Sequence, residues 1–518
     1  MMHRTRQFVV IAMLIAGSAV AATIEVAPGS SIQQAVAAAA PGDTVSVAPG
    51  TYREQIQLKD GVTIVGADRA TVIVEWPGDK GSTLIIRDCP GGAVRRVTFR
   101  HVPLAESEQP KDGFDVVWIS DSSAEVSDCV ISGGTANGLQ IRGKGAPVIA
   151  NCVIEKNRQY GIALVGIVTT PAITGNRIAA NSGSGLGVFE AVPRSHAKIE
   201  DNVITDNSGY GIWMDGKSWV DVKGNDFTKN GQICKFEIET LFQAKKFDML
   251  ETIAARLRRD KARYPAGGWQ LQWFYDFLSA RAWTMGPEDM AREEQTIAEW
   301  QKAHPGSITW RVVLVNNYIR QAWKSRGGGY AREVTPEAWA GYREGMRKAW
   351  AVMDEAAAIE PKDAEYYVML CVLSMESPRD TVSPGLWSFL SDAVSTLLGA
   401  GAKDAAARAF DEGVKHEPLY LRFYEERSRQ LLPRWHGSVS QMMAFADRSA
   451  ADIGGADGDA MYAVIASAVL KSESDETFLG SYSFSWEQIQ RGYDALLKQF
   501  PASNYFRNQC LRMAGVYR

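Results

Sequence analysis

The chain is poor in the residues that build metal centres. Its 518 residues hold six histidines and six cysteines, and the histidines (3, 101, 196, 304, 416 and 436) are scattered. A structural zinc site needs such ligands at short, regular spacings, and no Cys-x-x-Cys pair occurs. Neither a metal nor a cofactor is therefore expected. The formal charge is only −4 and no basic stripe stands out, which argues against an extended nucleic-acid footprint. After the first 22 residues no apolar run reaches membrane-spanning length. With 46% hydrophobic and 22% charged residues, the composition is that of ordinary globular protein with room for two to four domains.

The amino terminus reads differently. His3, Arg4 and Arg6 precede an apolar run, Phe8–Gly17, and Ser18-Ala19-Val20-Ala21 closes with small residues. That is the layout of a secretory signal peptide, here residues 1–22. No cysteine follows it for lipid attachment, so a periplasmic or secreted destination is expected, with no membrane span once the signal is removed.

What the chain has in abundance is a beat. Gly138, Gly161, Gly185 and Gly211 follow one another at steps of 23, 24 and 26 residues. Each leads an apolar alternation: LQI at 139, IAL at 162, LGV at 186 and IWM at 212. Four residues upstream stand Gly134, Asn157, Asn181 and Asn207, and before them Ile131, Ile154, Ile178 and Ile204. Val126, Ile149, Ile173 and Ile199 complete each unit, and Val222, Phe227 and Asn230 continue the offsets. Period-two apolar positions recurring at this interval describe a solenoid of short strands, each turn burying its inner face on the next. The Asn column is expected to stack at a corner and satisfy buried polar groups there. The glycines are expected to allow a positive φ or a tight corner. Cys129 and Cys152 hold one column, continued by Asn176, Asn202 and Asn225, and read as stacked thiols. Cys234, Cys371 and Cys510 read as buried. Residues 24–66 form the cap, with a short helix over Ser31–Ala39 opened by Ser30 or Ser31.

IQQAVAAAAPGDTVSVAPGTY at the cap and the repeated Asn-x-x-x-Gly-(Ile/Leu) resemble the right-handed parallel β-helix of pectin-lyase-like proteins and their NosD-like periplasmic relatives. The resemblance spans about residues 24–232 and implies the fold. Its chemistry is open, since such families include lyases, hydrolases, esterases and binders. The Asn-Thr-Asp, Asp-Asp and Gly-His-Gly runs of polygalacturonase-like members do not occur, and the esterase-like set of two Asp, a Gln pair and an Arg cannot be assembled. Arg142-Gly-Lys144 only faintly matches their Arg-x-Lys. Metal delivery, by analogy with NosD-like relatives, is disfavoured by the sparse His and Met.

A bottom-up search for acids agrees. Asp112, Asp115, Asp121, Glu125 and Asp128 are the densest acidic run, but successive strands carry them around the perimeter. Asp128 and Asp201 share a column three turns apart, roughly 14 Å at strand spacing, too far for a glycosidase pair. No catalytic residue is assigned. Outward aromatics are the better candidates. Trp213, between inward Ile212 and Met214, should face outward near Tyr210, Tyr160 and Trp219, beside Arg194 and His196 of the insertion Glu190–His196. Rings of this kind either stack on sugars or pack under a neighbouring domain.

From residue 236 to 518 the strand beat is gone and 3.6-residue periodicity takes over. Lys235–Tyr264 reads as a helical hairpin. Helices are expected near 268–284, 286–303, 309–324, 335–358, 362–376, 383–399, 403–414, 417–431, 439–451, 457–471 and 485–499. AVMDEAAAIEPKDAEYYVMLCVL (351–373) has a tetratricopeptide-like pattern. WRVVLVNNYIRQAWKSRGGGYAREVTPEAW (310–339) and LLPRWHGS (431–438) resemble a bacterial helical domain family of unknown function. Arg326-Gly-Gly-Gly-Tyr330 lacks the Lys-Ser/Thr of a phosphate loop and reads as a link. Trp435-His436 reads as an anchor.

The expectation is a two-domain β plus α protein: a parallel β-helix over 23–232, then an all-α, helical-repeat-like domain over 236–518. Its function is expected to be non-catalytic: a polysaccharide or cell-envelope glycan is the expected partner of the β-helix and a protein that of the helical domain. The alternative is a polysaccharide-acting lyase or hydrolase.

Overall fold

Left-handed residues placed singly between short strands turn this chain from one sheet to the next. Asp128, Asn151, Gly175 and Asp201 do so at one corner, Gly133, Lys156, Ala180 and Asp206 at a second, and Asp121, Gly143, Gly166 and Glu190 at a third, all with φ between 50° and 80°. Asp, Asn and Gly tolerate this region best, so the corners cost little wherever they occur. The result, in a computed structural model describing residues 21–103, 113–190, 197–215, 218, 220–328, 333–376, 405–435 and 437–517, is a parallel β-solenoid followed by a helical region. Two compact units divide at Asp226 and Phe227. Most of the expected signal peptide, the insertion residues 191–196, Trp219, residues 329–332, the expected helix 383–399 and His436 lie outside the described residues.

Each turn visits three sheets in order. The first sheet has nine strands, from Thr23–Val26 to Val220–Lys223; the second has seven, from Gly50–Tyr52 to Val203–Thr205; the third has seven, from Ile56–Gln57 to Ile212–Met214. Every strand pairs in parallel with its equivalent one turn away. Val126, Ile149, Ile173, Ile199 and Val222 are successive partners in the first sheet, and Ile131, Ile154, Ile178 and Ile204 in the second. All but the terminal Val222 are sealed from solvent. A one-residue slip would turn these apolar columns outward, so the register is strongly specified.

Two buried amide ladders follow the corners. Asn157 donates from its N–H (3.1 Å) and Nδ2 (2.9 Å) to Asn181 Oδ1, and Asn181 does the same to Asn207 at 3.1 and 2.8 Å. Asn176, Asn202 and Asn225 repeat the pattern. In the latter column Cys152 donates its N–H to Asn176 Oδ1 at 2.8 Å. The Cys129 and Cys152 thiols are free and buried, donating to main-chain carbonyls. Cys371 is buried as expected, but Cys234 and Cys510 are half-buried. Cys234 sits at a helix start, and Cys510 lies on a terminal helix that buries only Phe506 and Met513.

Of the two reasons expected for the repeat glycines, positive φ is not the one. A Cβ at Gly161 would lie 2.5 Å from Ile178 Cγ2 and 2.8 Å from both Asn181 Nδ2 and the Gly185 carbonyl. Close approach of the next turn, not a special dihedral, demands glycine. The cap helix is Ile32–Ala38, with Ser31 Oγ accepting from Gln34 N–H. The Glu54 carboxylate also accepts the Ile32 and Gln33 N–H groups, covering donors that a helix start leaves unpaired.

The helical region runs from Lys235–Gln243 and Phe247–Asp260 through Gln270–Ser279, Pro287–Ala303, Ile308–Arg326, Pro336–Ala356 and Ala364–Glu376. It continues with Ala405–His416, Leu421–Leu431, Val439–Ile453, Gly455–Ser472, Asp475–Ser481, Trp486–Gln499 and Asn504–Val516. Asp475–Ser481 and Asn504–Val516 were not expected from periodicity. The second places its two buried residues seven apart, too sparse a signal for a 3.6-residue stripe. A polar hub ties several helices together. Arg258 donates to Asp363 Oδ2 (2.9 Å) and Thr309 Oγ1 (2.7 Å), and Tyr275 OH donates to Asp363 at 2.6 Å. Nearby, buried Glu365 accepts from Tyr420 OH (2.6 Å) and Arg422 (2.8 Å). Burial pushes its carboxyl up to about 7 against the pull of Arg422.

Two outcomes follow from this packing. Gly161→Ala should lower solenoid stability by about 1–3 kcal/mol through overpacking, measured by denaturant unfolding. Arg258→Met, which strands the buried Asp363 carboxylate, should cost about 3–5 kcal/mol and appear as a lower melting temperature of the helical region.

Candidate functional site

The outer face of the third sheet carries one column whose side chains change character along the solenoid. Ile85, Trp118, Gln140, Ala163, Gly187 and Trp213 are successive partners. Trp213 is half-buried, between buried Ile212 and half-buried Met214. Its small neighbour Gly187 leaves room above the sheet, and Phe189 fills it. The Phe189 ring centroid is 5.0 Å from Trp213 and 5.3 Å from Tyr160, the latter pair edge to face. A Cβ at Gly187 would meet both rings, 2.7 Å from Phe189 and 2.8 Å from Tyr160. Tyr160, Phe189 and Trp213 thus form one continuous aromatic strip across adjacent turns. At the other end of the column Arg87 lies over the Trp118 ring, 4.7 Å from its centroid.

Of the sequence candidates, Tyr160 and Trp213 are joined in this strip, and Tyr210 is half-buried at the start of the Trp213 strand. Trp219, Arg194 and His196 lie outside the described residues. Sequence reasoning missed Phe189 and Trp118. Phe189 belongs to the column Arg142, Val165, Phe189, whose members share no residue type and so give no repeat signal. Trp118 sits at the position of Trp213 four strands earlier; aligning the turns by register would have found it.

The acids disperse as expected, with one addition. Asp121 turns a corner, Glu125 is paired with Arg95 at 2.7 Å on the first sheet, and Asp128 turns another corner; Asp112 lies outside the described residues. Asp115 is different. It precedes the strand Val117–Ser120 and accepts from Asn137 N–H (3.1 Å) and Nδ2 (2.8 Å). Asn137 Oδ1 in turn accepts the Tyr160 N–H at 3.1 Å. Burial pushes the Asp115 carboxyl up, against these two hydrogen bonds. Asp121 lies at the far end of the same strand, roughly 20 Å away at extended spacing.

Two cavities lie apart from the strip among the described residues. In the helical region a cavity of about 510 Å³ lies among Arg258, Lys261, Trp269, Lys362, Asp363 and Glu417. Its cations are already paired, Arg258 with Asp363, Lys261 with Glu417 at 2.6 Å and Lys362 with Glu360 at 2.7 Å. In the solenoid a cleft of about 430 Å³ follows the corner between second and third sheets, with His101 in its wall. No group of three metal-ligating side chains occurs among the described residues. Nor is any helix among them long and apolar enough to cross a membrane.

Residues 83–239 match the family model for a right handed beta helix region. No curated protein matches the chain. Similar solved structures include a pectin methylesterase in complex with a hexasaccharide, at 14% identity, 38% of this chain, 80% of that chain and a TM-score of 0.26. Pectin methylesterase PemA from Erwinia chrysanthemi gives the same values. The Azotobacter vinelandii mannuronan C-5 epimerase AlgE4 A-module gives 16% identity, 39% and 92% coverage and a TM-score of 0.16. Likeness at this level bears on no site, so the functional reading rests on the chain's own residues.

His101 makes a pH prediction. Burial pulls its imidazole from 6.5 down to about 4, with the Gly81 carbonyl opposing only in part. Between those values the unfolded chain takes up a proton that the folded chain refuses. The stability is therefore complete above pH 6.5 and falls as pH drops toward 4, by up to about 3 kcal/mol. His101→Gln should flatten that portion of the stability profile, measured by urea unfolding at successive pH values.

Proposed function

We propose that this is an exported, non-catalytic protein whose solenoid contacts a glycan through the aromatic strip, while its tetratricopeptide-like helical domain binds a protein. The continuous Tyr160–Phe189–Trp213 surface carries the reading. Three half-buried rings, Phe189 and Trp213 on the third sheet and Tyr160 just before one of its strands, offer apolar area on which the faces of sugar rings stack. The leader supports a periplasmic or secreted destination, and Tyr210, Trp219, Arg194 and His196 remain the candidate flank of the same surface.

A glycan array with the full chain tests it. Trp213→Ala should reduce retention of the bound glycan about tenfold while the melting temperature stays within a few degrees. If the strip instead only packs, the same change should lower stability by about 3 kcal/mol with no glycan held by the native protein, and the reading fails.

One observation favours the second reading, a polysaccharide-acting lyase or hydrolase. The Asp115 carboxyl, with its raised protonation range, is linked through Asn137 to the Tyr160 backbone at the edge of the strip. Groups tuned in this way often serve as general acids or bases. Reproducible cleavage products from any retained glycan, lost in Asp115→Asn, would replace the non-catalytic reading with this one. The expected result is no turnover.

A further inference from the structure

One column inside the solenoid changes chemistry along its length. It holds the residue after each left-handed corner between first and second sheets: Cys129, Cys152, Asn176, Asn202 and Asn225. From Asn176 onward, side-chain amides join neighbouring turns. The two thiols take the same place without amides. Cys152 Sγ lies 3.5 Å from the Val126 carbonyl and 3.3 Å from that of Ala150. Two turns on, Asn202 Nδ2 lies 2.9 Å and 3.0 Å from the equivalent carbonyls of Ile173 and Glu200. Cys129 Sγ repeats the arrangement with Val94 and Ser127. The sulfurs therefore occupy matching points on adjacent turns.

Val130 and Val153, the next residues, are direct strand partners, which sets the two cysteine Cα atoms about 4.8 Å apart. A disulfide spans Cα separations of roughly 4.4–6.8 Å. A small tilt of the two Cα–Cβ bonds and rotation of the sulfurs toward each other would close the rest. Both residues are sealed from solvent, at 0% and 1% exposed. Burial, and after it the Cys152 side chain, push the Cys129 thiol well above its ordinary range. The thiolate, not the thiol, attacks a disulfide, so the closed, reduced solenoid resists oxidation. The bond has to form while the turns are still open.

We propose that Cys129 and Cys152 are a modification site, joined by a disulfide as the solenoid folds, with an external disulfide as oxidant. One cysteine thiolate attacks a sulfur of that oxidant, giving a mixed disulfide and releasing half of the oxidant as a thiolate. The second cysteine thiolate displaces the other half and closes the Sγ–Sγ bond. The two electrons leave on the released pair, which take up the two cysteine protons and become thiols. The link ties two turns at a step where the column has no side-chain amide to do so. In the cell it rests on the exported destination proposed above, since oxidising compartments supply such disulfides.

The test is cell-free synthesis of the full chain in a buffer of oxidised and reduced glutathione, quenched with iodoacetamide in denaturant and mapped by peptide mass spectrometry. The peptides carrying Cys129 and Cys152 should be recovered linked, two hydrogens lighter than the sum of the separate thiols. Cys89, Cys234, Cys371 and Cys510 should enter no cysteine-to-cysteine link, and Cys129→Ser should leave Cys152 alkylated. Chain folded with reduced glutathione alone, then given the same oxidant, should link far more slowly. Alkylated thiols at both positions after oxidative folding, a different pairing, or equally fast linkage of the prefolded chain would overturn the proposal. The oxidant is supplied in the tube, so failure of the export reading leaves this result intact.

Discussion

Everything in the first half depends on one repeat distance. Parallel strands stack at about 4.8 Å, and a side chain must sit above its own counterpart or the column fails. Apolar columns accept that constraint readily, because isoleucine over isoleucine excludes water at every step. Polar groups accept it only if they can bond to copies of themselves. Asparagine can, since its amide offers an acceptor and donors on the same short side chain. The Asn157–Asn181–Asn207 and Asn176–Asn202–Asn225 ladders therefore let the corners be buried and hydrogen-bonded at once.

Much of this was legible in the sequence because the solenoid repeats its reasons. The Val126 to Val222 register and the Asn column recur at a fixed offset, and each recurrence strengthens the others. The glycine at each strand start was visible, but its cause was not. A clash with Ile178 and Asn181 of the following turn is a contact between residues far apart in sequence, whereas positive φ is a local property that sequence reasoning reaches first. Phe189 stayed hidden for a related reason: its column has no common residue type, so only the strand register brings it beside Trp213 and Tyr160.

The helical half was less transparent. Amphipathic periodicity located most helices, since a buried stripe leaves a mark every third or fourth residue. It could not foresee the hub of Arg258, Tyr275, Thr309 and Asp363, whose members come from three separate helices and the residue before a fourth and have no pattern among themselves. Buried charges there are paired at short distance, as desolvation requires, and the requirement is met only by tertiary structure. Asp115 makes the same point in the solenoid. Its sequence neighbours gave no sign that burial would raise its protonation range.

The amide ladders also govern how such a protein changes length. Asn157 meets Asn181 through the same bonds by which Asn181 meets Asn207. Excising one complete turn would join equivalent partners and leave both ladders and all three sheets in phase. Removing a single strand would set every later column against the wrong neighbour. Length changes that keep the fold are thereby restricted to whole turns or to the outward excursions between them. The reach of the solenoid along its axis is quantised in units of one strand spacing.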